Sequence, residues 1–199
     1  MSGAANSDFV QPPSFVFDTT SEAAIPPLIA KYPSGKQASA VIPMLYLVQD
    51  QMKRQTGSAW VPIAGMDEVA RRLDMAPIRV YEVATFYLMF NLRPIGKWHL
   101  QICTTTPCWL RGSDAVMKAC QHAAAADGET FTVQEVECLG GCVNAPVVQI
   151  NDDFYEDLDG ASTKQVLEAL RRGETPKPGP QIDRQTSAPV GGLTTLKGE

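Results

Sequence analysis

Basic residues are missing from the first 30 positions, Lys31 being the first. The chain thus opens with neither the charged start of a secretory signal nor the Arg-rich pattern of a mitochondrial transit peptide, and a cytosolic protein is expected. Long apolar runs are missing as well. The longest, Val41 to Val48, is interrupted by Pro43 and falls far short of the roughly 20 residues of a membrane span, so any membrane role must come through partners. Positive charge is in deficit: the net charge of −5 argues against nucleic acid, whose binders present a basic face. Histidine is scarce, with His99 in a strand-like stretch and His122 in a helical one, neither beside a plausible nucleophile. There is no G-x-G-x-x-G, no P-loop and no C-x-x-C, which removes a phosphate cradle and a thioredoxin-type redox motif.

What the chain does have is four cysteines in two tight pairs. Cys103 and Cys108 are spaced C-x4-C, Cys138 and Cys142 are spaced C-x3-C, and 29 residues separate the pairs. Two sulfurs on one loop reach the same metal ion without reordering the chain between them, so the long gap has only to bring two loops together. A [2Fe-2S] cluster, a structural zinc ion and disulfides all use such sets. Structural zinc usually takes C-x2-C knuckles, which neither pair is. A [2Fe-2S] unit accepts wider loops, as the C-x4-C half of the plant-type ferredoxin spacing shows, although C-x3-C departs from that type. Cytosolic thiols stay reduced and serve more often as ligands than as staples. The fifth cysteine, Cys120, shares a helical stripe with Val116, Ala119 and Ala123 and reads as core.

At 199 residues the chain has room for one or two domains plus tails. Residues 1–19, with Pro12 and Pro13, read as an extended arm, and 20–92 as a helical domain. In it Ala38, Val41, Ile42, Leu45 and Met52 form one stripe, with Pro43 starting or kinking the helix. Met66 to Leu73 forms a short helix, and Pro77 opens another that runs towards Phe90. Tyr87, Met89 and Phe90 read as packing against the neighbouring domain. Residues 93–173 change period. Strands over Trp98 to Ile102 and Phe131 to Val136 flank a helix from Gly112 to Ala126, and a hairpin of Pro146 to Ile150 with Phe154 to Asp157 precedes a closing helix, Thr163 to Arg172. The first two strands must run parallel through a right-handed crossover, which puts both cysteine loops on one edge. Residues 174–199, rich in Pro and Gly, read as a flexible or partner-bound tail.

Four thiolates and a cluster leave net negative charge, so nearby donors are expected. Gly140 and Gly141 can turn backbone N–H groups towards sulfur, Thr104, Thr105 and Thr106 offer hydroxyls, and a helix beginning near Arg111 points its positive end at the first loop. The acidic run Asp152, Asp153, Glu156, Asp157, Asp159 reads as a solvated hairpin or a steering patch for a basic partner.

The strings CTTTPCWLRG, VECLGGCVNAPVVQINDDFYEDL, KYPSGKQASAVIPMLYLVQDQ and PIRVYEVATFYLMFNLRP closely resemble the small [2Fe-2S] subunits of respiratory NADH:quinone oxidoreductase, complex I. The resemblance covers about Ile25 to Gln181. It implies an α+β chain in which a helical N-terminal domain precedes a thioredoxin-like α/β [2Fe-2S] ferredoxin domain, with Cys103, Cys108, Cys138 and Cys142 as cluster ligands. It also implies a partner subunit that holds FMN and binds NADH and a larger iron-sulfur subunit of the peripheral arm. With no targeting peptide read at the N-terminus, a place on the cytoplasmic face of a bacterial inner membrane is expected, or on the matrix side if the chain is mitochondrial. Related subunits serve NAD-linked formate dehydrogenases and hydrogenases; from another class, a zinc-stabilised interaction module remains open.

Overall fold

The computed structural model describes residues 9–192, 194 and 195. They fall into two compact units, one ending at Ile95 and the other beginning at Gly96.

The first unit is helical: α1 (Thr19–Ile29), α2 (Val41–Thr56), α3 (Ile63–Arg72) and α4 (Pro77–Phe86), with a 3-10 turn over Gln37–Ala40. Pro43 lies in the first turn of α2, where its missing N–H has no helical partner to lose. Gly57 ends that helix in the left-handed conformation, at φ 78°. Met44, Leu45, Val48, Val61, Val69 and Val80 are fully buried between the helices, each contributing about 1.5–3 kcal/mol of apolar burial. The arm is extended but tied down over its described part. Gln51, buried in α2, donates to the carbonyl of Val16 at 2.8 Å and accepts from the N–H of Asp18 at 2.8 Å. Asp18 then caps α1 through Ser21 N–H, while Arg72 bridges Glu22 of α1 and Glu68 of α3. The helix opened by Pro77 stops at Phe86 rather than continuing towards Phe90. Tyr87 turns extended, and Phe90 folds into this unit's own core with its ring 5.2 Å from that of Tyr46.

The second unit is a five-stranded mixed sheet in the order β2-β1-β3-β4-β5, built from β1 (Trp98–Cys103), β2 (Phe131–Val136), β3 (Val148–Ile150), β4 (Asp153–Glu156) and β5 (Gly179–Pro180). Strands β1 and β2 are parallel, joined through α5 (Thr106–Leu110) and α6 (Ser113–Ala126), and β3 and β4 form an antiparallel hairpin. Leu100, Ile102, Phe131, Val148, Ile150 and Tyr155 pack against Val116 and Cys120 of α6 and against Val166, Leu167 and Leu170 of α7 (Gly160–Arg171). Helix α7 starts earlier than its apolar pattern indicates because Asp159 and Ser162 form a capping box.

Two expectations for this unit change. Residues 174–192 are not free of the domain: β5 pairs with β4 in parallel, and Arg184 binds Asp157 at 3.0 Å. The acidic hairpin is for the same reason not uniformly solvated, the Asp157 side chain being only 5% exposed. Hydropathy reads neither feature, because hydrogen bonds and an ion pair hold this segment.

Candidate metal centre

Cys103 is the last residue of β1, held by its N–H to the carbonyl of Val147 at 3.2 Å. Cys108 sits in α5, a helix too short to show periodicity in the sequence, and both thiols are buried. Cys138 follows β2, and Cys142 opens a 3-10 turn over Cys142–Asn144; both are exposed, with their sulfurs 3.5 Å apart. Buried Cys103, Cys108, Ala145 and Val147 form a small apolar cluster of their own, against which Leu139 and Phe154 pack. The inner side of the site is therefore dry and the outer side wet. Exposed Trp109, Leu110 and Val143 stand next to the cysteines in sequence.

The thiols perturb one another. Burial is the largest influence on Cys103 and pushes it up. It is outweighed by donors, the Thr105 hydroxyl and N–H, the Cys108 thiol and the Leu139 N–H, which together hold Cys103 below the usual thiol value. Cys108 is pushed up to about 11 by burial, then by its hydrogen bond to Cys103 and by the charges of Cys103 and Cys142, against the Val147 N–H. Cys142 is raised by its hydrogen bond to Cys138, then by burial and by the charges of Cys138 and Cys103. Three of these influences cross from one loop to the other, so the pairs lie close together. Neighbouring thiolates that disfavour the ionisation of Cys108 and Cys142 suit a cation bound among them.

Of the expected donors, Gly140 adopts φ +81°, the left-handed region open to glycine, and its N–H points to Cys138 Sγ at 3.3 Å. Thr105 Oγ1 lies 3.2 Å from Cys103 Sγ, while Thr104 turns to Glu135 at 2.6 Å. The helix expected at Arg111 begins at Ser113, and Arg111 is an exposed residue between α5 and α6. Sequence reasoning missed the N–H of Leu139 and the buried side chain of Asn144. Their only signal lay in the strings around Cys138 and Cys142.

The sulfurs are grouped in twos. Among the described residues no three Cys, His, Asp or Glu side chains converge on a single ion position. A tetrahedral zinc site needs four ligands about one ion, whereas a two-iron cluster divides four thiolates between its irons. Four cysteines on two loops, with the Cys138 and Cys142 sulfurs 3.5 Å apart, suit the latter.

A mixed sheet with paired thiols where two parallel strands leave it defines a class of cluster-carrying domains. The chain belongs to the thioredoxin-like [2Fe-2S] ferredoxin family, whose model matches residues 25–171, and the α+β, thioredoxin-like architecture expected from the sequence is the one present. It is 50% identical to a subunit of the NADH-quinone oxidoreductase of Rickettsia typhi over 161 residues, 78% of this chain and 92% of that protein. It is 45% identical to the corresponding NADH-quinone oxidoreductase protein of Rhizobium meliloti over 199 residues, 96% of this chain and 70% of that one. In fold it is similar to part of a solved NAD+-reducing [NiFe]-hydrogenase, with TM-score 0.51 and 19% identity over 65% of this chain and 23% of that one.

Proposed function

We propose that this chain is the [2Fe-2S] electron-carrying subunit of an NADH:quinone oxidoreductase, with Cys103, Cys108, Cys138 and Cys142 as the cluster ligands. The observation that supports it most is the convergence of two cysteine loops where β1 and β2 leave the sheet, with Leu139 of the second loop packed against the Cys103 and Cys108 cluster. The relatives at 45–50% identity carry that oxidoreductase's name over most of both chains. A bound [2Fe-2S] cluster takes up and gives back one electron at a time. The residues of this chain set its surroundings: Thr105 and Gly140 offer hydrogen bonds to sulfur, and Ala145, Val147 and Leu139 keep water from the inner pair.

Hydride donation from NADH delivers two electrons and needs an acceptor such as a flavin. The sequence holds no dinucleotide motif, so the partner that binds NADH and FMN does that chemistry and this subunit is accessory to it. A larger iron-sulfur subunit of the peripheral arm is the second partner. Among the described residues no helix is long and apolar enough to cross a membrane, and attachment to the cytoplasmic face of a bacterial inner membrane would then come through those partners. The equivalent subunit of an NAD-linked hydrogenase or formate dehydrogenase is the alternative, and only the hydrogenase has a fold likeness behind it.

The test is reduction of the purified chain. Dithionite should bleach its visible absorbance, and NADH should leave it unchanged until the flavin subunit is added. Rapid reduction of the flavin-free chain by NADH would sink the accessory role, and a colourless, zinc-loaded protein would sink the cluster.

A further inference from the structure

The family model ends at residue 171, yet the segment beyond it reaches back to the second cysteine pair. Gly179 and Pro180 pair with Tyr155 and Glu156 as β5, and the N–H of Gln181 donates to the carbonyl of Glu156 at 2.9 Å. Arg184 then places its guanidinium on Asp157, at 3.0 and 3.4 Å from the two carboxylate oxygens, with its Nε donating to the carbonyl of Ala188 at 2.9 Å. Both charged side chains are nearly sealed, 6% and 5% exposed. Removing two charges from water is expensive, and stripping away one partner leaves the other buried and unpaired.

The residues that receive this segment are the ones that hold the ligand loop. The N–H of Asp157 donates to the carbonyl of Asn144 at 2.7 Å. The side-chain amide of Asn144 donates to the Glu156 carboxylate and, at 3.0 Å, to the carbonyl of Thr186. Asn144 is 2% exposed, lies two residues after Cys142 in the same 3-10 turn, and closes that turn with its N–H on the carbonyl of Gly141 at 2.9 Å. A continuous path of hydrogen bonds therefore runs from Arg184 and Thr186, through Glu156, Asp157 and Asn144, to the turn that Cys142 opens. Cys138 and Cys142 are themselves exposed, so their loop has little burial of its own to fix it.

We propose that Gly179–Ala188 is a strap that sets the geometry of the outer ligand pair, with Asn144 and Arg184 as positioning residues for the cluster. The proposal rests on the cluster reading above. Groups just outside a metal's ligands orient those ligands, and their loss typically costs 10–100-fold in metal affinity.

The experiment uses the full chain reconstituted with iron and sulfide, beside Arg184→Gln, Arg184→Lys and a chain stopped after Lys177. If the parent chain takes up no [2Fe-2S] cluster, the cluster reading fails, and the strap with it. If it loads, Arg184→Gln and the shortened chain should release iron to a chelator about 10-fold faster. Their reduced clusters should show altered EPR g values and midpoint potential, and Arg184→Lys, which keeps the charge, should fall between. A parent-like spectrum, potential and release rate in both Arg184→Gln and the shortened chain would overturn the proposal. So would loss of the domain's thermal transition in both, because the segment would then staple the whole fold rather than position one loop.

Discussion

Cys103, the last residue of β1, stands opposite Val136, the last residue of β2, in parallel register. Cys138 is two residues further on. Parallel strands deliver their chains to the same edge, so the loops carrying Cys103 with Cys108 and Cys138 with Cys142 leave the sheet side by side. Leu139 of the second loop then packs against Cys103 and Cys108. The site is thus a consequence of one crossover, and the length of chain between the pairs matters only in supplying the helices that make it.

If all four thiols are ligands, replacing any one with serine should sharply lower iron per chain, measured after reconstitution. Cys120 should behave differently. It is buried against the sheet, and burial pushes its thiol up to about 12, which keeps it protonated and unreactive. Cys120→Ala should keep full iron loading at a stability cost of about 1 kcal/mol. Full loading of Cys138→Ser, or an empty but folded Cys120→Ala chain, contradicts the assignment.

The strands are readable because their pattern is strong: Phe131–Val136 has the bounds read from the sequence, and β1 runs only one residue past Ile102. The hairpin and the parallel crossover follow from turn chemistry and chain order. What the sequence hides is of another kind. The five residues of α5 are too few to display a period, so Cys108 looks like a loop residue. Asn144 and Arg184 are polar, and a polar residue looks solvated until its partner is known. Those partners, Thr186 and Asp157, are 42 and 27 residues away, beyond any local pattern.

The two units suggest that the sheet unit folds alone. A fragment of residues 96–192 should give the [2Fe-2S] absorbance and EPR signal of the full chain. A fragment ending at 172 lacks β5 and Arg184, and should load but release iron faster. Inability of a folded 96–192 fragment to bind iron would mean that the helical unit completes the site.

Gln51 offers a test in the helical unit. Its amide satisfies both the Val16 carbonyl and the Asp18 N–H from within α2. Gln51→Leu preserves bulk but leaves those backbone groups without their partners, at about 1–3 kcal/mol. Thermal unfolding should show the loss, and proteolysis should cut sooner between residues 9 and 18. Unchanged cleavage would show that the aromatic contacts of the arm, such as Phe9 with Trp60, suffice to hold it.

His99 sets a pH dependence. It lies in β1, only 6% exposed. Burial lowers its pKa from 6.5, a hydrogen bond with Gln134 opposing the shift in part. The native imidazole therefore stays neutral where the unfolded chain already binds a proton. Stability rises with pH wherever the unfolded state holds more protons, so this contribution is complete above about pH 6.5. It is lost as pH falls from there to the lowered native value, with a slope of at most about 1.4 kcal/mol per pH unit. Below that value both states are protonated and the loss levels off. Urea unfolding at pH 7.5 and 5.5, compared between the parent and His99→Gln, cancels the other titrating groups. The parent should lose more stability between the two pH values than the variant, and equal losses would mean that His99 is protonated in the folded chain.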